Sequence, residues 1–166
     1  LPDKSDARVE FIVNAVHQLQ KKISGYGSTI LSFHCLPLEA FTQLQNDYNI
    51  SSVYTNHDYE PYARKRDSEI AAFLEQKNIA FKTYKDQVIF EKEEILKDNG
   101  EPYTVFTPYS KKWKSRLNSF YLKAYPTEKY TQHFYKNLVS ELHTLTQLGF
   151  EKTGIEFPPN HTSDNI

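Results

Sequence analysis

The sequence predicts an α/β fold, a doubly wound parallel sheet with helices on both faces, and three observations predict it. Helix-period stretches alternate with short apolar runs through the first half of the chain. Prolines open two of the helical stretches, at Pro37 and Pro61, as proline does at a first helical position. The apolar runs have strand length and no polar alternation, which suits strands covered on both faces.

Ser5-Asp6 offers caps for a first helix, in which Val9, Ile12, Val13, Val16, Leu19 and Ile23 recur at helical spacing. Gly25 and Gly27 stop it. Thr29–Cys35 then reads as a buried parallel strand, and Pro37 opens a helix carrying Leu38, Phe41 and Leu44. Ser52–Thr55 is the next strand. Pro61 introduces a helix from Ala63 to Gln76 with Ile70, Phe73 and Leu74 on its inner face. Ala80–Tyr84 is a further strand, and Val88–Phe90 a small extra one. From Glu91 the chain turns loop-rich, then aromatic and basic. Helical patches are expected over Thr127–Gly149 (Leu138, Leu142, Leu145, Leu148), and an open linker from Phe157-Pro158-Pro159 to Ile166.

With 166 residues there is enough chain for one domain with a core. The formal net charge of −1 gives no bulk attraction to nucleic acid or a lipid surface. No apolar run nears membrane-spanning length, and Leu1-Pro2-Asp3-Lys4 is no signal peptide. The single cysteine, Cys35, excludes an internal disulfide framework and suits a reducing compartment, so a cytoplasmic location is expected. Asn49-Ile50-Ser51 and Asn160-His161-Thr162 then read as chance glycosylation triplets. There is no methionine, which reads as a chain beginning inside a longer gene product.

Two blocks carry the sharpest local signals. Val53 to Asp67 (VYTNHDYEPYARKRD) runs off a strand, crosses a polar turn with two acids and enters a helix. In an open parallel sheet ligands bind beyond the carboxyl ends of the strands, so this turn is where a ligand is expected. The plainer alternative is a capped turn with a structural Arg66–Asp67 ion pair. The second block, Asn99 to Lys114, leads through aromatics into cations around the only tryptophan, Trp113. Lys111, Lys112, Lys114 and Arg116 could face phosphates with aromatics between them. Otherwise they form a solvated helix face whose aromatics pack on the sheet.

Sharper chemistries lack parts. There is no P-loop and no Gly-x-Gly-x-x-Gly, against a nucleotide-phosphate cradle. His34 and Cys35 are strand neighbours pointing to opposite faces, which separates any nucleophile from its base. The six histidines lie without metal-ligand spacing, and no pair of carboxylates is singled out for acid–base work; no catalytic and no metal residue is assigned.

Taken together the blocks resemble the DNA photolyase/cryptochrome family, specifically its amino-terminal α/β domain. The carrying motifs are Ala7-Arg8-Val9, Asn56-His57-Asp58, Tyr59-Glu60-Pro61-Tyr62, Arg64-Lys65-Arg66-Asp67, Gly100 to Pro108, Lys111 to Trp113, and Leu145 to Phe150. The resemblance implies a Rossmann-like domain over residues 1–126, lacking the family's first strand, first helix and second strand. Residues 127–166 would connect to a helical domain, beyond Ile166, that binds FAD and acts on UV-damaged DNA. It implies an antenna role here: holding a second chromophore that passes excitation to FAD, in a light-driven deoxyribodipyrimidine photo-lyase or, alternatively, a cryptochrome photoreceptor. Relatives that carry 8-hydroxy-5-deazaflavin use the Arg of Ala-Arg-Val and the Asp of Asn-x-Asp, which stand here as Arg8 and Asp58. FMN would share that pocket. The bacterial-type folate site needs Asn-Glu where this chain has Tyr62-Ala63, so that site is expected to be absent. With its first strands missing, the fragment is expected to be inactive alone and to self-associate through open sheet edges. A nucleotide-binding, universal-stress-like α/β module is the rival from another class.

Overall fold

Each helix expected in the first half forms. The computed structural model describes residues 3–157, so the Asn160 triplet and all of the expected linker beyond Phe157 lie outside the described residues. The chain divides into two compact units, one from Leu1–His34 with Pro126–Ile166, the other Cys35–Tyr125.

In the first unit, α1 (Ala7–Ser24) is capped by Asp6, whose Oδ1 accepts the Arg8 N–H at 2.9 Å. Gly25 is still right-handed; Gly27, at φ +72°, makes the left-handed turn out of the helix. The side chains that α1 buries are polar, Glu10 and Gln20, while Ile12 and Leu19 of the expected apolar stripe are exposed. Both buried groups are bonded. Glu10 Oε2 accepts from the Thr153 N–H (2.8 Å) and hydroxyl (2.7 Å), and Gln20 Nε2 donates to Thr29 Oγ1 at 2.8 Å.

The expected strand Thr29–Cys35 does not form. The Ile30 N–H donates instead to the Gln20 side-chain Oε1 (2.6 Å), and the side chains of Thr29 and Ser32 bond the Ser140 N–H (2.8 Å) and His143 Nδ1 (2.8 Å). The carboxyl-terminal patches are not α-helical either. Thr127–His133 is a 3₁₀ segment, and Leu145–Gly149 is a turn closed by the Phe150 N–H donating to the Leu145 carbonyl at 2.9 Å.

The second unit runs α2 (Pro37–Asp47), β1 (Ser52–Asn56), α3 (Pro61–Gln76), β2 (Ala80–Tyr84), a 3₁₀ turn (Lys92–Glu94), α4 (Phe106–Arg116) and α5 (Ser119–Leu122). Val88–Phe90, expected as a strand, is irregular and leads into the 3₁₀ turn. β1 and β2 pair in parallel with Ser52 opposite Ala80 and Asn56 opposite Tyr84, the one sheet among the described residues. α3 supplies the crossover that a parallel pair requires. Ile70, Leu74 and Ile79 form the buried core, with Phe41, Ile50, Val53, Phe73 and Phe81 packed on it. The crossover turns tightly through Asn78 at φ +56°, where asparagine tolerates a left-handed backbone. No described helix is long and apolar enough to cross a membrane.

Candidate functional site at the carboxyl end of the parallel pair

The two strands end side by side, and the ladder continues one step past them: the His57 N–H donates to the Tyr84 carbonyl at 2.7 Å. That bond fixes where the polar turn leaves the sheet. The turn then folds over a crevice of about 480 Å³ whose wall includes His57, Asp58 and Tyr59, Arg64 and Asp67 from α3, Thr83 from β2, and the Glu91–Lys92 loop.

A bonded network braces the wall. Glu91 Oε1 meets His57 Nδ1 at 2.5 Å and accepts the Tyr59 hydroxyl at 2.7 Å, while His57 Nε2 lies 2.8 Å from Thr83 Oγ1. A carboxylate only accepts, so Nδ1–H donates to Glu91, and Nε2 and the Thr83 hydroxyl share the second hydrogen bond. The Tyr59 hydrogen bond, then that of His57, holds the Glu91 carboxyl below its ordinary range. Burial, then the Glu91 bond, pushes the Tyr59 phenol up to about 12. The Glu91 loop is fixed in turn. Glu94 accepts the Glu91 N–H, Lys85 Nζ pairs with Glu94 Oε2 at 2.6 Å, and Lys92 sits left-handed at φ +48°.

Asp58 lies in the crevice wall and its Oδ1 accepts the Glu60 N–H at 3.2 Å, at the entry to α3. The Arg66–Asp67 ion pair forms at 2.8 Å, and Asp67, then Asp58, raises the Arg66 guanidinium above its ordinary value. Arg8 stands in the other unit, at the start of α1. Its side chain is 78% exposed and its Nη2 pairs with Asp6 Oδ2 at 2.5 Å. That bond raises Arg8 and holds Asp6 down at about 2. The structure therefore puts Asp58 with His57, Tyr59 and Arg64 of the quoted motifs, and with Glu91 and Lys92, which the sequence did not single out. His57 and Tyr59 were visible in the turn motif, but Glu91 enters from far along the chain and no local signal marks it.

The residues matched by the family model described as DNA photolyase are 2–130. The chain belongs to the DNA photolyase family. Its relatives include the deoxyribodipyrimidine photo-lyase of Synechococcus sp., 33% identical over 158 residues, 92% of this chain and 32% of that protein. The Halobacterium salinarum enzyme of the same name is 30% identical over 66% of the chain and 23% of its own length. That of Alkalihalophilus pseudofirmus is 41% identical over 42% of the chain and 15% of its own. The chain thus spans about a third, or less, of the photolyase relatives it matches.

The crevice carries both carboxylate and cationic side chains on its wall. Its volume lies in the range of small-ligand pockets, roughly 300–1,000 Å³, and Asp58 and Arg64 both line its wall.

Proposed function

We propose that this chain is the antenna domain of a light-driven deoxyribodipyrimidine photo-lyase, with a Rossmann-like, doubly wound domain over residues 1–126 and a connector over 127–166. What supports this is the crevice beyond the carboxyl ends of β1 and β2, built on the Asn56-His57-Asp58 turn, in a chain whose residues 2–130 match the family model. The named relatives favour the repair enzyme over a cryptochrome.

Asp58 would hold the polar edge of an 8-hydroxy-5-deazaflavin or FMN, with Arg8 as the cationic partner. When bound, that chromophore supplies absorption and excitation transfer. The residues of this chain position its ring, exclude water from one face and fix hydrogen bonds at its edge through the braced His57–Glu91–Tyr59 wall. The Arg8–Asp6 bond holds the guanidinium at the start of α1. FAD and UV-damaged DNA would belong to a helical domain joined through the connector.

The test is a longer protein that carries this chain joined to a helical FAD domain. Its purified form should reverse cyclobutane pyrimidine dimers under blue light, with an action spectrum that includes an antenna band beyond that of FAD. Absence of repair in a well-folded, FAD-loaded protein would reject the enzyme reading. Repair with an action spectrum that follows FAD alone, after reconstitution with both chromophores, would reject the antenna role.

A further inference from the structure

The second unit carries a basic, aromatic surface well away in sequence from the crevice turn. From Pro102 to Tyr125 the chain has five cations (Lys111, Lys112, Lys114, Arg116 and Lys123) and no acid, in a protein of net charge −1. The rest of the chain is therefore strongly acidic, and the segregation is not an average property of the sequence.

α4 organises the segment. Tyr109 and Trp113, one turn apart, face inward: Tyr109 meets Tyr103 at 6.1 Å between ring centroids, and Trp113 meets Phe90 at 5.4 Å. Phe90 also meets Tyr121 of α5 at 4.7 Å, which ties the two helices to one aromatic anchor. With that face inward, Lys111 and Lys114 share one outer flank, and Lys112 and Arg116 the other. Lys112 is paired with Asp98 at 2.9 Å; Lys111, Lys114 and Arg116 have no ion pair among the described residues. The same segment carries exposed rings: Phe106 is 77% exposed, Phe120 73% and Tyr125 83%.

We propose that this α4–α5 surface binds single-stranded nucleic acid, the cations taking phosphates and the exposed rings stacking on bases. An acidic protein surface would be met by the cations alone and would give no role to three rings held in water. A rigid duplex hides its base faces from those rings. A single strand presents both groups at once, and stacking on aromatic side chains tolerates any sequence. The surface is independent of the crevice and of the antenna reading.

Trp113 is the only tryptophan and sits on the inner face of the same helix, between Lys112 and Lys114 in sequence, so its fluorescence reports binding without a label. Titration of the whole chain with a deoxythymidine 12-mer should change Trp113 emission. Affinity should fall with salt at a log–log slope of about −2 to −3, for three or four phosphates neutralised on a single strand. Lys111→Glu with Lys114→Glu and Arg116→Glu should abolish binding. Phe106→Ala with Phe120→Ala should weaken it at least several-fold while leaving the slope unchanged. Polyglutamate of equal length should bind much more weakly. Binding of polyglutamate as tight as the oligonucleotide, an unchanged affinity in the phenylalanine variant, or no response at 20 mM salt would each overturn the proposal. The wild-type slope and the polyglutamate comparison decide it even where a variant fails to fold.

Discussion

His57 and Glu91, 34 residues apart, meet at 2.5 Å just past the ends of the parallel strands. The bond joins the turn that leaves β1 to the loop that follows β2, and Tyr59 closes on the same carboxylate oxygen. Because the ladder fixes His57 through the Tyr84 carbonyl, the position of the Glu91 loop is referred to the sheet itself.

This network makes stability acid-sensitive in a defined window. Glu91 is held below its ordinary value of 4.5, first by Tyr59 and then by His57. A depressed carboxyl stabilises the fold above its unfolded pKa and loses that contribution as pH falls through the folded one. Thermal melts from pH 7 downward should therefore lose midpoint temperature below about pH 4.5. Glu91→Gln should start lower at pH 7 and show a shallower acid limb. Parallel curves for the two proteins would remove Glu91 from the network.

The core of the second unit should be sensitive to a single truncation. Leu74 is 1% exposed and lies between Ile70 and Ile79 under the Phe41 and Phe81 rings. Leu74→Ala removes buried methyl groups and leaves a cavity, at a cost of about 2–5 kcal/mol. Denaturant titration should show the lower midpoint with an unchanged slope. A loss under about 1 kcal/mol would mean that the site collapses around the smaller side chain.

Much of this unit was legible in the sequence, because its signals are local. Pro61 marks the start of α3, and Ile70 and Leu74, at one-turn spacing, mark its buried face. Thr29–Cys35 was not legible as it stands. Its composition suits a strand, but strand formation needs a partner ladder, and here the Ile30 N–H goes to the Gln20 side chain while Thr29 and Ser32 bond Ser140 and His143 through their side chains. The α1 stripe misled for a related reason: periodicity shows that a face is apolar but not that something covers it. At the crevice, Asp58 was visible through its motif, whereas Glu91 acts through tertiary proximity that no spacing rule encodes.

Chromophore binding should depend on both Asp58 and Arg8. Asp58 lies on the crevice wall with one oxygen used by the Glu60 N–H, while Arg8 is already bonded to Asp6. In a longer protein able to bind 8-hydroxy-5-deazaflavin or FMN, Asp58→Ala and Arg8→Ala should each weaken binding roughly five- to 150-fold, the cost of leaving a polar group of the bound ring without its partner. Asp6→Asn keeps an N-cap oxygen but removes the charge that competes for Arg8, so it should tighten binding or leave it unchanged. Equilibrium titration followed by absorbance would read all three. Wild-type affinity in both alanine variants would take these residues out of the site.

The remaining prediction concerns the open face of the β1–β2 pair. One face packs on the core through Val53 and Phe81. On the other, Tyr54 and Tyr84 stack at 6.2 Å with planes 13° apart, and Lys82 Nζ lies 5.2 Å from the Tyr54 ring centre. Both tyrosines are exposed, and each strand has one edge without a ladder partner among the described residues. A two-stranded sheet with bare edges and an aromatic face is a template for pairing with another chain. The isolated 166-residue chain should therefore self-associate, with a weight-average mass in sedimentation equilibrium that rises with concentration. Tyr54→Ser with Tyr84→Ser should suppress the rise. The lysine limits the effect without abolishing it, because a single charge per face is screened within about 8 Å at physiological salt. Association that weakens in the serine variant but persists in Lys82→Glu would place the contact on the rings. A monodisperse monomer at every concentration, with a cooperative unfolding transition, would show that the face is stable in water as it stands.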